Sequence, residues 1–349
     1  MTQLPIRKDL VGKSPYGAPQ IAVPIRLNTN ENPFGPSPEL VAELAKAISE
    51  IGPNLNRYPD RDANELRADL AKYLNAENQV SLAAENIWPA NGSNEVMQQL
   101  LQLFGGPEKS LVAFDPTYSM YEDYCRNTFT KYLSVARNED FTIDKSVLDS
   151  ALALQPDIIV LTSPNNPTGT IIDMSDIDYL LANFAGVLVV DEAYAEFRPA
   201  GTPSAVSRLA KNPRLVVVRT MSKAFSYAGA RVGYAAASPE IVQAIQLVRL
   251  PYHLSAVTQA VARVALRFSD ELQGQVTLLR NERDDLASWF KAQGFEVTPS
   301  GANFLLFGTF GDRNEVWEQL VEQGVLIRQT GPSGWLRVSI GTPEENQAF

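Results

Sequence analysis

RLVVVRTMSKAFSYAGARVG (residues 214–233) runs from an apolar stretch of strand length into a segment that places one lysine, Lys223, among small and aromatic residues, with Arg231 eight positions later. The apolar stretch is one of five. NIWPA (86–90), SLVAF (110–114), DIIVLT (157–162) and GVLVV (186–190) share its length and texture, and helical periodicity fills the intervals. Short buried strands alternating with helices predict an α/β fold with a mostly parallel sheet covered by helices. In such sheets ligands bind beyond the carboxyl ends of the strands, so the residues after each run carry the functional information.

After the first run comes NGSNE (91–95), then a helix with Val96, Met97, Leu100, Leu101 and Phe104 on one face. Gly92, Ser93 and Asn94 at its start offer N–H groups to a phosphate, a serine N-cap being the plainer reading. DPTY (115–118) sets the Tyr118 ring over the crevice, SPNNPTG (163–169) follows the third run and DEAY (191–194) the fourth. Asp191, at the tip of a buried strand, is a costly charge without a cation or donor beside it. Lys223 is an amine able to form a Schiff base, and Ser222 and Arg231 are close enough in sequence to bind an anion near it. Asn166 and Tyr194 are neutral donors suited to a phenolate oxygen. A pyridoxal phosphate cofactor requires this set: a lysine for its aldehyde, a carboxylate for its pyridinium nitrogen, phenolate donors, a flat ring for its face and a phosphate cradle. Singly, each residue has a plain explanation, as a solvated loop lysine, a helix-capping aspartate or a proline-fixed turn. Five strand ends at once argue for the cofactor.

Composition narrows the class. The 349 residues carry a formal charge of −10, with 45% hydrophobic and 20% charged residues, ordinary values for a globular protein. That charge argues against nucleic-acid and anionic-membrane partners, which require clustered cations. Any anionic ligand is met by locally placed arginines and backbone amides. Cys125 is the single cysteine, so no intrachain disulfide can form. No apolar run approaches the roughly 20 residues of a membrane span, and the expectation is a cytoplasmic protein. Cys125 reads as a packed residue, and His253, the only histidine, as structural or part of a pocket wall. No metal site is expected.

Residues 1–36, rich in Pro, Asn and Gly, read as an extended arm. Helices are expected through Leu40, Val41, Leu44, Ala47 and Ile48 and through Leu66, Leu70 and Tyr73. After about residue 240 the texture changes to a long helix over 241–250, another over 258–290, and candidate strands at FEVTP (295–299), NFLLF (303–307), VLIRQ (325–329) and WLRVSI (335–340). The expected divisions are the arm (1–36), a large cofactor-binding domain (37–242) and a smaller α+β domain (243–349) that the arm joins.

NGSNE, DPTY, SPNNPTG, DEAY and TMSKAFSYAGARVG, in this order, resemble the fold-type I pyridoxal-phosphate aminotransferases of the aspartate aminotransferase superfamily. Within it, YGAP (16–19), RLNTNENPFGPSP (26–38), LNRYPD (55–60), LVRLPYHLS (247–255) and LRVSIGTPEE (336–345) resemble the histidinol-phosphate aminotransferase family. The resemblance implies a mostly parallel seven-stranded sheet flanked by helices, plus the smaller domain. It makes Lys223 the lysine that carries the cofactor, Asp191 the partner of the ring nitrogen, Tyr194 and Asn166 the phenolate holders and Tyr118 the stacking ring. It places the phosphate on Ser93, Asn94, Ser222 and Arg231, joined by Tyr58 from the second subunit of a homodimer with shared sites. It gives the substrate's anionic group to Arg337, and Arg328, Tyr16 and Tyr252 are expected to assist in holding a substrate phosphate and walling an imidazole, with Asn166 also facing the substrate. The chain stops at Phe349, soon after the Arg337 segment, where such enzymes continue into a last helix, and the natural C-terminus is expected beyond it. The rival readings are an aromatic amino-acid aminotransferase and a decarboxylase of a phosphorylated amino acid. A nicotinamide dehydrogenase is disfavoured because no GxGxxG follows a strand.

Overall fold

Valine, isoleucine and leucine dominate the five apolar runs, and in the computed structural model, which describes residues 4–349, each run is a strand with a buried interior. In chain order the strands are β1 (Ile25–Arg26), β2 (Ile87–Ala90), β3 (Ser110–Asp115), β4 (Lys131–Ala136), β5 (Ile158–Thr162), β6 (Val187–Asp191), β7 (Leu215–Thr220), β8 (Gly233–Ala237), β9 (Glu296–Val297), β10 (Phe304–Gly308), β11 (Val325–Leu326) and β12 (Leu336–Ser339). Seven of them form the central sheet in the order β2-β8-β7-β6-β5-β3-β4. Only β8 runs against its neighbours. Side-chain alternation divides the strands between two cores. Ile159, Leu161, Leu188, Val190, Leu215 and Val217 pack on one face, and Ile158, Val160, Val187, Val189, Val216 and Val218 on the other. Burial on both faces is why these strands read as continuous apolar runs.

Two strands of this sheet carry no such run. β4 (KYLSVA) is a half-exposed edge strand, and charge on an edge is a common guard against pairing with other chains. β8 (GYAAA) is built from small residues and is wholly buried. Its Gly233 lies so close to the start of the helix Ser93–Phe104 that a Cβ there would fall 2.1 Å from the Ser93 nitrogen.

Beyond residue 240 the helices are shorter than their apolar pattern predicts. The helix expected over 241–250 is Pro239–Ile245, with Ser238 accepting from the Ile241 N–H. Pro251 disfavours helical backbone at Leu250, and Leu247 and Leu250 project outward at 82% and 72% exposure instead of facing the core. The helix expected over 258–290 is two, Ala256–Arg267 and Ser269–Ala292, divided at Phe268, whose ψ of 19° leaves the helical range.

The four C-terminal candidate strands all form. β12, β10 and β9 make an antiparallel sheet, while β11 pairs in parallel with β1 of the N-terminal segment. Leu27 N–H donates to Leu326 O (2.8 Å) and Ser339 N–H to Leu27 O (2.9 Å), so the arm threads between β11 and β12 and delivers residues 28–31 to the sheet's carboxyl edge. Residues 1–3 of the expected arm lie outside the described residues. Among the described residues no helix is long and apolar enough to cross a membrane. Cys125 is buried, and burial pushes its thiol up to about 12.

Next to the carboxyl edge lies a buried ionic cluster that no sequence pattern announces. Glu192 accepts from Arg219 Nε (2.8 Å), Arg198 Nη1 (3.2 Å), Ser204 Oγ (2.7 Å) and Ala205 N (2.9 Å), and Arg219 Nη1 also reaches Glu196 Oε1 at 3.0 Å. All four charged chains are at most 6% exposed. Removing one member strands the others' charges without water. Arg219→Ala is therefore expected to cost about 3–5 kcal/mol, read as a lowered urea midpoint at unchanged m-value.

Candidate active site

The carboxyl ends of β5, β6 and β7, the start of the helix Ser93–Phe104 and the arm residues 28–31 enclose a cavity of about 250 Å³. Its walls contain Ser93, Asn94, Tyr118, Asn166, Asp191, Tyr194, Ser222, Lys223 and Arg231, together with Tyr16, Arg328 and Arg337. These residues come from segments hundreds of positions apart. The common direction of the parallel strands brings their strand-to-helix loops to one edge, and the arm and the β11 and β12 segments supply Tyr16, Arg328 and Arg337.

Asp191 stands at the centre. Its Oδ2 accepts from the Tyr121 hydroxyl (2.7 Å) and its Oδ1 from the Ala193 N–H (3.1 Å). Burial pushes its carboxyl up to about 6, against the pull of those two donors. A carboxylate has about four acceptor positions, so capacity remains on the cavity side. Lys223 Nζ donates to Thr29 O at 2.9 Å and lies 6.0 Å from the Tyr194 ring centre. Burial, and then the Arg337 charge, pull its ammonium down to about 8, so an appreciable fraction is free amine near neutrality. The Tyr194 hydroxyl accepts from Asn30 Nδ2 (3.0 Å), and burial raises its pKa.

Two clusters of anion donors flank this centre. One comprises Arg231, Ser222 and the first turn of the helix Ser93–Phe104, where N–H groups lack intrahelical partners and the helix dipole favours negative charge. Gly92 caps this helix with a φ of +83°, and a Cβ on it would fall 2.7 Å from Arg231 Nη2. The glycine thus leaves the space the guanidinium needs. The other cluster is Arg337 with Arg328, held side by side because their backbones exchange two 2.9 Å hydrogen bonds. Arg337 donates from Nη1 to Asn166 Oδ1 (2.5 Å) and from Nη2 to Asn28 O (2.9 Å), while its buried Nε finds no partner among the described residues. Arg328 reaches Gly17 O (3.3 Å) and lies 6.0 Å from the Tyr16 ring, which meets Tyr118 edge-on at 6.4 Å.

Two expected residues are absent from this cavity. Tyr58 is 79% exposed and stacks on Tyr252, with ring centres 4.3 Å apart at 12°. Tyr252, expected to wall the pocket, has a φ of +53° and lies in the surface loop after the helix Pro239–Ile245. Within the chain, neither ring lines the cavity. His253 also lies outside the cavity lining: its ring stacks on Trp88 (5.1 Å, 14°) and Nε2 lies 3.0 Å from Pro89 O. Conversely, sequence reasoning assigned nothing to Tyr121 or Asn30. Both sit inside motifs already singled out, Tyr121 three residues past DPTY and Asn30 within RLNTNENPFGPSP, but no spacing rule assigns their partners. Among the described residues no group of three or more His, Cys, Asp or Glu is placed to hold a metal ion.

The family described as aminotransferase class I and II matches residues 22–349. A curated histidinol-phosphate aminotransferase of Thermobifida fusca (strain YX) is 54% identical over 99% of this chain and 94% of the relative. Another from Corynebacterium glutamicum (strain R) is 50% identical over 100% of this chain and 95% of its own length. Among solved structures, the histidinol-phosphate aminotransferase from Sinorhizobium meliloti in complex with pyridoxal-5'-phosphate shares the fold, with a TM-score of 0.87 at 22% identity, covering 99% of this chain and 96% of that one. The Thermus thermophilus aspartate aminotransferase with maleate superposes with a TM-score of 0.80 at 26% identity, over 93% of this chain and 89% of that one.

The tightness around Gly92 is testable. Gly92→Ala adds a methyl group where φ is positive and displaces Arg231. The variant is expected to keep its fold by circular dichroism while binding pyridoxal phosphate at least tenfold more weakly, measured by equilibrium dialysis.

Proposed function

The chain belongs to the aminotransferase class I and II family, and we propose that it transaminates L-histidinol phosphate with 2-oxoglutarate, giving imidazole acetol phosphate and L-glutamate in histidine biosynthesis. Its cofactor is pyridoxal 5'-phosphate. The observation that carries the substrate assignment is near-complete coverage by curated histidinol-phosphate aminotransferases at 50–54% identity, together with a cavity that has two separate anion-binding ends.

The donor set fits the cofactor on this chain's own geometry. Arg231, beside a glycine that leaves it room, and the open N–H groups of the helix at Ser93 and Asn94, with Ser222, would take the phosphate. Asp191, with acceptor capacity to spare, would hold the ring nitrogen, Tyr194 and Asn166 the phenolate oxygen, and Tyr118 the ring face. When bound, the cofactor supplies an electrophilic carbon for an amine and an electron sink once its ring nitrogen is protonated. Lys223 acts as the proton carrier. With its ammonium lowered to about 8, Nζ both takes a proton and returns it near neutral pH. Asp191 sustains the opposite charge at the ring nitrogen in a sheltered site, where it is worth more than in water. Arg337 and Arg328 bind the substrate's anionic end, a phosphate in one half-reaction and a carboxylate in the other, because a guanidinium can pair with either.

The functional unit we propose is a cytoplasmic homodimer, each protomer comprising the arm (1–36), the large domain (37–242) and the small domain (243–349). Support comes from an apolar surface at Leu55, Tyr58, Leu247, Leu250 and Tyr252, each at least 40% exposed. Arg249 ties its two segments together, donating to Arg61 O at 2.7 Å. A second copy covering this surface would carry Tyr58 toward the neighbour's phosphate cradle and Tyr252 toward its substrate.

Single-turnover kinetics on each half-reaction test the substrate assignment. Arg337→Ala is expected to slow amination by histidinol phosphate and by glutamate alike, by about 10²-fold or more, the loss of paired bonds to a charged group. Tyr16→Phe should slow the histidinol-phosphate reaction by about fivefold to tenfold and the glutamate reaction much less. Equal losses with both donors in Tyr16→Phe, or faster amination by phenylalanine than by histidinol phosphate in the parent, would favour an aromatic amino-acid aminotransferase. The dimer has its own test. Tyr58→Phe should weaken cofactor affinity, and at a pyridoxal phosphate concentration that leaves this variant mostly unloaded, mixing it with inactive Lys223→Ala should yield hybrids with one intact site and activity above either variant. An active monomer in sedimentation would contradict the assembly.

A further inference from the structure

One fully buried hydroxyl at the site has no part in the mechanism above. Tyr121, in the first turn of the helix Met120–Thr128, is 0% exposed, and its OH lies 2.7 Å from Asp191 Oδ2 and 2.8 Å from Thr162 Oγ1. Thr162 is beside Asp191 because the parallel register of β5 and β6 pairs these two residues. The other groups facing Asp191 are the Tyr118, Tyr124 and Tyr194 phenols; Glu192, next in the chain, turns away to Arg219 and Arg198. Among the described residues no cation pairs with Asp191, so neutral donors alone offset its burial.

Counting protons fixes the direction of this network. An ionised carboxylate only accepts, so Tyr121 gives its single proton to Asp191 and must accept from Thr162. Thr162 then has no proton left for Thr117, 3.3 Å away. None is needed there, because Thr117 donates instead to Asn165 Oδ1 at 2.9 Å. The Asn165 amide is oriented by its own donations to Pro116 O (3.0 Å) and Thr168 Oγ1 (2.8 Å). Tyr121 and the Ala193 N–H thus present one donor to each oxygen of the ionised Asp191, at 2.7 and 3.1 Å, and Thr162 stands behind the first at 2.8 Å.

We propose that Tyr121 is a positioning residue that, polarised by Thr162, holds Asp191 as a carboxylate with its free acceptor turned to the cavity, where the ring nitrogen of pyridoxal phosphate binds. The identity of that ring rests on the functional reading above. The hydroxyl contributes charge stabilisation and aim without touching the cofactor. Its loss makes Asp191 easier to protonate, so the carboxylate is surrendered at a higher pH.

Two measurements on the full chain separate this inference from the functional reading. In the cofactor-free protein, the Asp191 side-chain carbon is followed against pH by NMR in ¹³C-aspartate-labelled material and assigned by its disappearance in Asp191→Asn. Tyr121→Phe, which keeps the ring, is expected to move the midpoint up by about one to two pH units, the equivalent of one bond to a charged acceptor. Thr162→Val should move it less and in the same direction. In the loaded protein, Tyr121→Phe should weaken cofactor binding by about tenfold and move the acid limb of kcat upward, with KM for histidinol phosphate within twofold of the parent. An unchanged Asp191 midpoint in Tyr121→Phe, or a downward move, overturns the inference. A parent that binds no pyridoxal phosphate overturns the functional reading, and the cofactor-free titration still decides the part played by Tyr121.

Discussion

A carboxylate buried at the end of a parallel strand is the constraint on which the rest of this molecule turns. Asp191 pairs with Thr162 on one side and Val218 on the other in the register of β5, β6 and β7, so its position is set by the hydrogen bonding of the sheet and not by a loop. A charge there is tolerable only with donors around it and a cationic group in front. The first requirement explains Tyr121 and the Ala193 N–H. The second fits the cavity to the proposed cofactor, which would present a positive N–H to Asp191 while carrying its own anionic group to the helix at Ser93.

The same strand end anchors a second polar system. Successive residues of an extended chain point to opposite sides, so where Asp191 faces the cavity, Glu192 faces Arg219 and Arg198. The segment 191–198 is thereby pinned from behind by charge-assisted bonds while presenting Asp191 and Tyr194 in front. Further along, Arg283 holds Phe197 O and Ala302 O at 2.8 and 3.2 Å, joining this segment to the long C-terminal helix. A buried ionic cluster is a poor way to gain stability compared with apolar packing. Its value here lies in geometry, because few alternative arrangements satisfy four buried charges at once.

How far the sequence reveals this depends on what each feature is made of. The sheet core was legible because strands buried on both faces must be apolar throughout, and the cavity's cofactor set was legible because it occupies the first residues after those strands. β4 and β8 were not, one being a polar edge and the other a run of small residues that begins at Gly233, where the backbone closely approaches the Ser93 nitrogen. The apolar spacing past residue 245 misled, since Leu247 and Leu250 keep a helical period yet face outward. Tyr252 lies outside its own chain's cavity, and hydrophobic periodicity records that a residue avoids water, not which surface covers it. Tyr121, Asn30 and Arg219 were invisible as functional positions because their roles are pairwise, with partners 70, 164 and 27 residues away.

Electrostatics link the two ends of the cavity. The chain as a whole is acidic, at −10, yet Lys223, Arg231, Arg328 and Arg337 line this space against only Asp191 and Glu31. Such a local excess draws anionic ligands into a protein whose overall charge repels them. It also lowers the proton affinity of Lys223, and after burial the Arg337 charge is the largest cause. An anion paired with Arg337 cancels part of that repulsion, so Lys223 becomes a stronger base when a substrate occupies the site. In the proposed reaction the arginine that would recognise the substrate is therefore coupled to the amine that would take its proton, and a ligand lacking an anionic end would forfeit both the contact and the increase in basicity.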